Sequence, residues 1–235
     1  MIIKNNIEVD DIRLGRIPFF DERSKDYPIR TVIENKRLRS YTWQCNEYFN
    51  QGNTGSCVGF SIAHELAARP IEQKGLNYDY ILKNIYWEAQ KNDGYPGGAY
   101  PGAQPKYEGT TVLAGVKTAQ DLGCFESYRW AFNIDELIAG LGFSGPSVLG
   151  INWYENMTKV AQNGFIEPTG KLQGGHAILA RGVNIKNKYI ILRNSWGKGW
   201  GKDGDCYITF DNMEKLLKQN GESVFFIKRK LINIV

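Results

Sequence analysis

After Gly145 the apolar residues change their spacing, and that change limits the folds open to this chain. Downstream, "SVLGINW", "GHAILARGV", "KYIILRNS", "GDCYITF" and "SVFFIKRK" are short, rich in β-branched or aromatic residues and bounded by Gly and Asn, the pattern of strands. Upstream, apolar residues recur at three and four. "CVGFSIAHELAAR" reads as a helix from Cys57 that stops before Pro70, because proline pushes the preceding residue out of the helical region. "NYDYILKNIYWEAQKNDG" places Ile81, Leu82, Ile85, Tyr86 and Ala89 in one stripe, with Asn77 or Asp79 as cap and Gly94 as stop. "TTVLAGVKTAQDLG" has Thr110 or Thr111 in front, Val112, Leu113, Val116 and Ala119 on one side and Gly123 behind. "NIDELIAGLG" adds a short helix with Asn133 and Glu136 at cap-and-N3 spacing, and "DNMEKLLKQNG" is a helical interruption among the strands. "NDGYPGGAYPGAQP" is a loop without period. Helices followed by antiparallel strands imply an α+β fold. Residues 51–135 form a helical lobe and residues 136–235 a β lobe, and the junction of two such lobes is a natural cleft.

The 235 residues carry a formal net charge of +4, spread too thinly along the chain to argue for nucleic acid. The apolar runs fall far short of the roughly 18 residues that span a bilayer, so no membrane partner is expected. "MIIKNNIEVDD" turns acidic at once and lacks a signal core, which points to a cytoplasmic location, in a host cytoplasm or a virion assembled there. Cys45, Cys57, Cys124 and Cys206 include no C-x-x-C pair, and the chain has only two histidines. No metal site and no cofactor are expected. "GLGFSG" matches a dinucleotide-binding fingerprint but follows a helix and precedes Pro146 and a strand, the reverse of the required context.

"QGNTGSCVGFS", residues 51–61, sets a thiol at the start of a helix. Cys57 is either a nucleophile or a small apolar residue, and a nucleophile needs a base and an orienting group. His64 lies seven residues along the same helix, about 10 Å up its axis, too far to serve, and reads as a structural histidine. His176 opens an apolar strand after two glycines and is either a core histidine or the base. Asn194 ends the next strand, where its amide would accept from the imidazole and fix its tautomer. Trp196, in "NSWGKGWG", would cover that bond or simply pack.

These blocks resemble the papain-like cysteine peptidase family. "QGNTGSCVGFS" is similar to its nucleophile-bearing helix start, "GHAILARG" to its histidine strand and "ILRNSWGKGWGKDG" to its asparagine–tryptophan block, in the family's order. The resemblance covers roughly residues 40–210. It implies a two-lobed fold, a helical lobe and an antiparallel β-barrel-like lobe, with the active site between them. It implies Cys57 as nucleophile, His176 as general acid/base, Asn194 as its orienting residue and Gln51 as the oxyanion-hole side chain. It sets Gly175 and Trp196 in the cleft, and it suggests Gly97 and Gly98, forty residues after Cys57, as a substrate-binding turn, with an ordinary loop as the equal alternative. The expected activity is endopeptidase cleavage of a polypeptide; an isopeptidase or acyl transferase using the same thiol, or a binding module of virions, are the alternatives. Val58 and Thr54 depart from the family's tryptophan and half-cystine. "LGRIPFFDERSKDYPIR" is similar to N-terminal segments of bacterial and bacteriophage members. Residues 1–50 are expected to be an extension packed on the β lobe, burying Ile17, Phe19 and Phe20, rather than a removable inhibitory segment; an autoinhibitory strand running through the cleft beside Cys57 is the alternative.

Overall fold

The computed structural model describes residues 2–4, 7–9, 11–33 and 38–234. Ile2–Lys4 (β1) and Ile7–Val9 (β2) form a small antiparallel ladder. The helical lobe begins with α1, Cys57–Ala67, every residue of which is buried. Tyr78–Tyr80 (α2) continues through a π-helical stretch, Ile81–Tyr86, into Trp87–Asn92 (α3). Val112–Asp121 (α4) starts on Thr111, whose hydroxyl accepts from the Ala114 N–H. Ile134–Phe143 (α5) starts on Asn133, whose side chain accepts from the Glu136 N–H, while the Glu136 carboxylate accepts from the Phe132 N–H. The cap spacing in the sequence is therefore realised, with the Glu136 carboxylate reaching back to the residue before the cap.

One antiparallel sheet organises the rest. Its order is β4 (Phe125–Trp130), β9 (Glu222–Arg229), β5 (Ser147–Tyr154), β6 (Leu172–Asn184), β7 (Tyr189–Arg193) and β8 (Asp205–Thr209), with β3 (Tyr41–Thr42) added to β6. Helix α6, Phe210–Lys218, fills the β8–β9 connection. β4 lies inside the stretch expected to be helical. It buries Phe125 and Trp130 at its two ends, and its pairing partner is β9.

Strand alternation divides the apolar residues between two cores. On β6, Ala177 and Leu179 face one core, and Ile178, Ala180 and Val183 the other. On β9, Val224 and Phe226 oppose Phe225. The first core contains α1 and α4; the second contains α5, α6 and Trp153. Because both faces are covered, the central strands are buried nearly throughout. Asp205 accepts from Arg181 and from the buried Arg193, which also donates to the Glu47 carbonyl at 2.6 Å. That clamp anchors the chain entering the Gln51 loop.

The N-terminal segment does more than extend the β lobe. Leu14 and Ile29 do enter the β-lobe core. Residues 11–17, however, run between the lobes. The Arg16 N–H donates to the Gly175 carbonyl at 3.0 Å, the Ile17 N–H to the Thr110 carbonyl at 2.9 Å, and the Thr110 N–H to the Gly15 carbonyl at 2.9 Å. Glycine makes this approach possible. A Cβ on Gly15 would lie 1.7 Å from the Gly55 carbonyl oxygen, and one on Gly175 would lie 2.3 Å from the Arg16 oxygen. Ile17 is buried as expected, but Phe19 and Phe20 are 43% and 45% exposed. They follow the point where the chain leaves the cleft.

Candidate active site

Cys57 is the first residue of α1, where backbone N–H groups have no partner within the helix. Its sulfur accepts from the Ala177 N–H at 3.4 Å, so the thiol meets β6 one residue past His176. His176 Nε2 lies 2.8 Å from Asn194 Oδ1. The same oxygen accepts from the Ser195 N–H at 2.8 Å, which fixes the amide with its oxygen toward the ring. Nε2 must therefore carry the hydrogen, which leaves Nδ1 of the neutral ring as proton acceptor. Trp153 and Trp196 wall the imidazole at ring-centroid distances of 4.7 and 5.1 Å. His176 is fully buried, and desolvation lowers its pKa to about 4 against the opposing hydrogen bond to Asn194.

Gln51 is fixed in the same way. Its Oε1 accepts from the Ser195 hydroxyl at 2.7 Å, so its amide nitrogen faces the cleft. That nitrogen donates to the Thr54 carbonyl at 2.6 Å and to the Arg13 carbonyl at 3.0 Å. A peptide carbonyl thus already sits on the Gln51 donor. The Arg13 guanidinium lies 4.0 Å over the Trp196 ring. With residues 11–17 in place, Cys57 and His176 are inaccessible to solvent.

The structure therefore gathers Cys57, His176, Asn194, Gln51, Gly175 and Trp196 around one cleft. None of these contacts involves Gly97 or Gly98, for which the sequence left a substrate-binding turn and an ordinary loop as equal readings. The Gly98 N–H donates to the Pro105 carbonyl and its own carbonyl accepts from the Tyr107 N–H, so Gly98 spends its backbone groups on its own loop. The wall facing β6 is instead Glu108–Thr110. Gln90 and Tyr86 hold Gly109 by its carbonyl and N–H at 2.9 and 2.6 Å, and Glu108 accepts from the Gly55 N–H at 2.8 Å. The sequence signal was "EGTT", whose threonines register as a helix cap and whose glycine gives no hint of a cleft. His64 sits away from the thiol, accepting from the Phe49 N–H at 3.1 Å. None of the four cysteines is joined in a disulfide.

The sequence model described as "Papain family cysteine protease" matches residues 75–223. The chain belongs to the papain family. The matched span includes His176 and Asn194, while Cys57 and Gln51 lie ahead of it and join the site through the fold. Among curated relatives, cathepsin B-like CP2 of Giardia intestinalis is 24% identical over 67% of this chain and 62% of its own length. Human cathepsin O is 22% identical over 75% of this chain and 61% of its own length. The chain thus spans about three fifths of such relatives. Among solved structures, xylellain, a cysteine protease from Xylella fastidiosa, superposes with TM-score 0.64 at 17% identity, covering 95% of this chain and 99% of its own. Procathepsin B S9 from Trypanosoma congolense gives 0.56 at 15% identity, covering 92% and 82%. These two share the α+β papain-like fold with this chain.

Proposed function

We propose that this papain-family chain is a cysteine endopeptidase held latent by residues 11–17. The observation that carries the reading is the Gln51 amide, locked by Ser195 and already donating to a backbone carbonyl beside Cys57 and His176. In the open cleft a substrate carbonyl replaces that of Arg13. The Cys57 thiol proton passes to His176 Nδ1 and the thiolate attacks the carbonyl carbon, forming an S–C bond. The negative charge moves to the carbonyl oxygen, where Gln51 Nε2 and the Cys57 N–H hold it. Collapse breaks the C–N bond, and the leaving amine takes the proton from His176. Water, deprotonated by His176, then opens the thioester to a carboxylic acid and restores the thiol.

The closed form opposes this chemistry twice. Its occupant excludes substrate, and its dryness keeps the imidazole neutral, so no cation stands beside the thiol to favour the thiolate. The polypeptide substrate follows from the same geometry, since the cleft walls offer backbone groups at Thr110 and Gly175 to an extended chain. Mass-spectrometric profiling of a denatured peptide library tests the reading, with Cys57→Ala as control and an amine acceptor in a parallel arm. Expected are new peptide termini that need Cys57. Absence of cleavage by the full chain and by a variant with the segment lifted would overturn it, as would products carrying the amine in place of water.

A further inference from the structure

The loop from Gln51 to Cys57 carries both donors assigned to the oxyanion, and each end of it is tied to a different lobe. At its start the Gln51 N–H donates to the Ser195 carbonyl at 2.9 Å, a bond to the β lobe. Near its end the Gly55 N–H donates to Glu108 Oε2 at 2.8 Å, a bond to the helical lobe. This second tie reaches the cleft wall, Glu108–Thr110. Glycine permits the approach: a Cβ on Gly55 would lie 2.7 Å from Glu108 Cβ and 3.0 Å from the Gly109 nitrogen.

The same carboxylate oxygen accepts from the Tyr86 hydroxyl at 3.0 Å. Tyr86 is fully buried. Its oxygen already accepts from the Gly109 N–H at 2.6 Å and from Gln90 Nε2 at 3.1 Å. The hydroxyl has one hydrogen, so that hydrogen goes to Glu108, and the direction of the whole relay is fixed. Position 108 must therefore offer an oxygen that accepts twice. Tyr86 also stands against the helix of the nucleophile. A Cβ on Gly59, in the first turn of α1, would lie 2.9 Å from Tyr86 Cβ. Tyr86 closes the π-helical stretch, an irregularity found most often at functional sites. One oxygen of Glu108 thus joins the oxyanion loop, the cleft wall and the residue packed on α1. Its negative charge does not account for the arrangement, because a charge there favours the start of a helix but repels a thiolate at Cys57. What the side chain supplies is a fixed distance between loop and wall.

We propose that Glu108 is a positioning residue: by gripping the Gly55 N–H and the Tyr86 hydroxyl with one oxygen, it sets the oxyanion loop against the wall that holds the substrate backbone. The inference rests on the endopeptidase reading for its setting, but its test separates the two. A peptide aldehyde gives a readout that does not need turnover. The Cys57 thiol adds across its C=O, the S–C bond forms, the thiol proton passes to the oxygen, and that oxygen lies on the Gln51 and Cys57 donors. Iodoacetamide alkylates the same sulfur without using them. Glu108→Ala, Glu108→Asp and Glu108→Gln are compared in the full chain carrying Gly15→Ala, and again without it. Aspartate keeps the charge but withdraws the oxygen by one methylene; glutamine keeps the reach and drops the charge. Expected for Ala and Asp is a fall of about 100-fold in kcat and in aldehyde affinity, the cost of misplacing a reacting group by about 1 Å, with alkylation no slower than in the parent. Glutamine should recover most of that loss. Aldehyde affinity and alkylation falling together would reduce Glu108 to a support of the fold. A tolerated Asp beside a damaging Gln would mean that the charge is what counts. Either result overturns the proposal and leaves the peptidase standing. The expected aldehyde pattern in a parent that cleaves no peptide upholds the positioning role and sinks the peptidase. A parent that neither cleaves nor binds the aldehyde overturns both. If Glu108→Ala fails to fold, the comparison of Asp with Gln decides.

Discussion

Two carboxamides do opposite work in this site, and in each the orientation of the amide is decided by a neighbour at Ser195. The Ser195 N–H takes the oxygen of Asn194 and turns it toward His176; the Ser195 hydroxyl takes the oxygen of Gln51 and turns its nitrogen toward the cleft. Gln51 consequently serves the closed and the open state with the same atom. In the closed state its donor holds the Arg13 carbonyl; in the mechanism proposed above it holds the oxyanion once the cleft is open. Gln51→Ala should therefore move two measurements in opposite directions. kcat should fall about 100- to 1000-fold, the usual loss for one oxyanion donor, while iodoacetamide should reach Cys57 faster because one bond to the covering segment is gone. Parallel changes in both would mean that Gln51 only supports the fold. Asn194→Ala should cost kcat with little change in KM, because it releases the imidazole tautomer without touching the walls that hold the substrate backbone.

At the scale of elements, the segment 11–17 is held by backbone bonds and by the absence of side chains at Gly15, Gly55 and Gly175. Gly15→Ala puts a methyl where the Gly55 carbonyl stands, and backbone on backbone leaves no room to relax. The variant should stay folded, since Leu14 alone of this segment reaches into a core cluster, and should label at Cys57 much faster than the parent. Water then returns to His176. Burial holds its pKa at about 4 in the closed form, so the imidazole resonance should titrate at a higher pH in Gly15→Ala. An unchanged titration with unchanged labelling would place the segment outside any gating role. The same segment shows where the sequence fell silent. The caps at Thr111 and Asn133 were legible because their partners lie three residues away. The grouping of Cys57, His176, Asn194 and Gln51 was legible because their residue types carry chemistry. "RIPFF" announces buried apolar anchors, yet what fixes its path is a glycine whose meaning depends on Gly55 and Gly175, far along the chain. The glycine pair at 97 and 98 left its role open for the converse reason. Paired glycines suit any tight turn, and the bonds that commit this one to its own loop are tertiary facts.

For the molecule as a whole, both histidines are buried, and this sets how the fold responds to acid. Desolvation lowers His64 to about 3, with repulsion from Arg193 adding to it. A histidine in the unfolded chain titrates near 6.5, so between that pH and about 3 the unfolded state holds the extra proton. Stability contributed by His64 is complete above pH 6.5 and declines as pH falls below it, by about 2 kcal/mol at pH 5. The position couples this to the site. His64 accepts the Phe49 N–H two residues before Gln51, and an imidazolium cannot accept that bond. His64→Gln keeps an acceptor and removes the titration. Urea unfolding at pH 7 and pH 5 should show the parent losing more between the two than the variant, by about 2 kcal/mol, and the variant's activity should persist to lower pH. Equal losses in both chains would mean that the acid response belongs to other groups. A variant that loses activity at pH 7 with its stability intact would mean that the imidazole ring itself, packed 4.9 Å from the Phe49 ring, shapes the Gln51 loop.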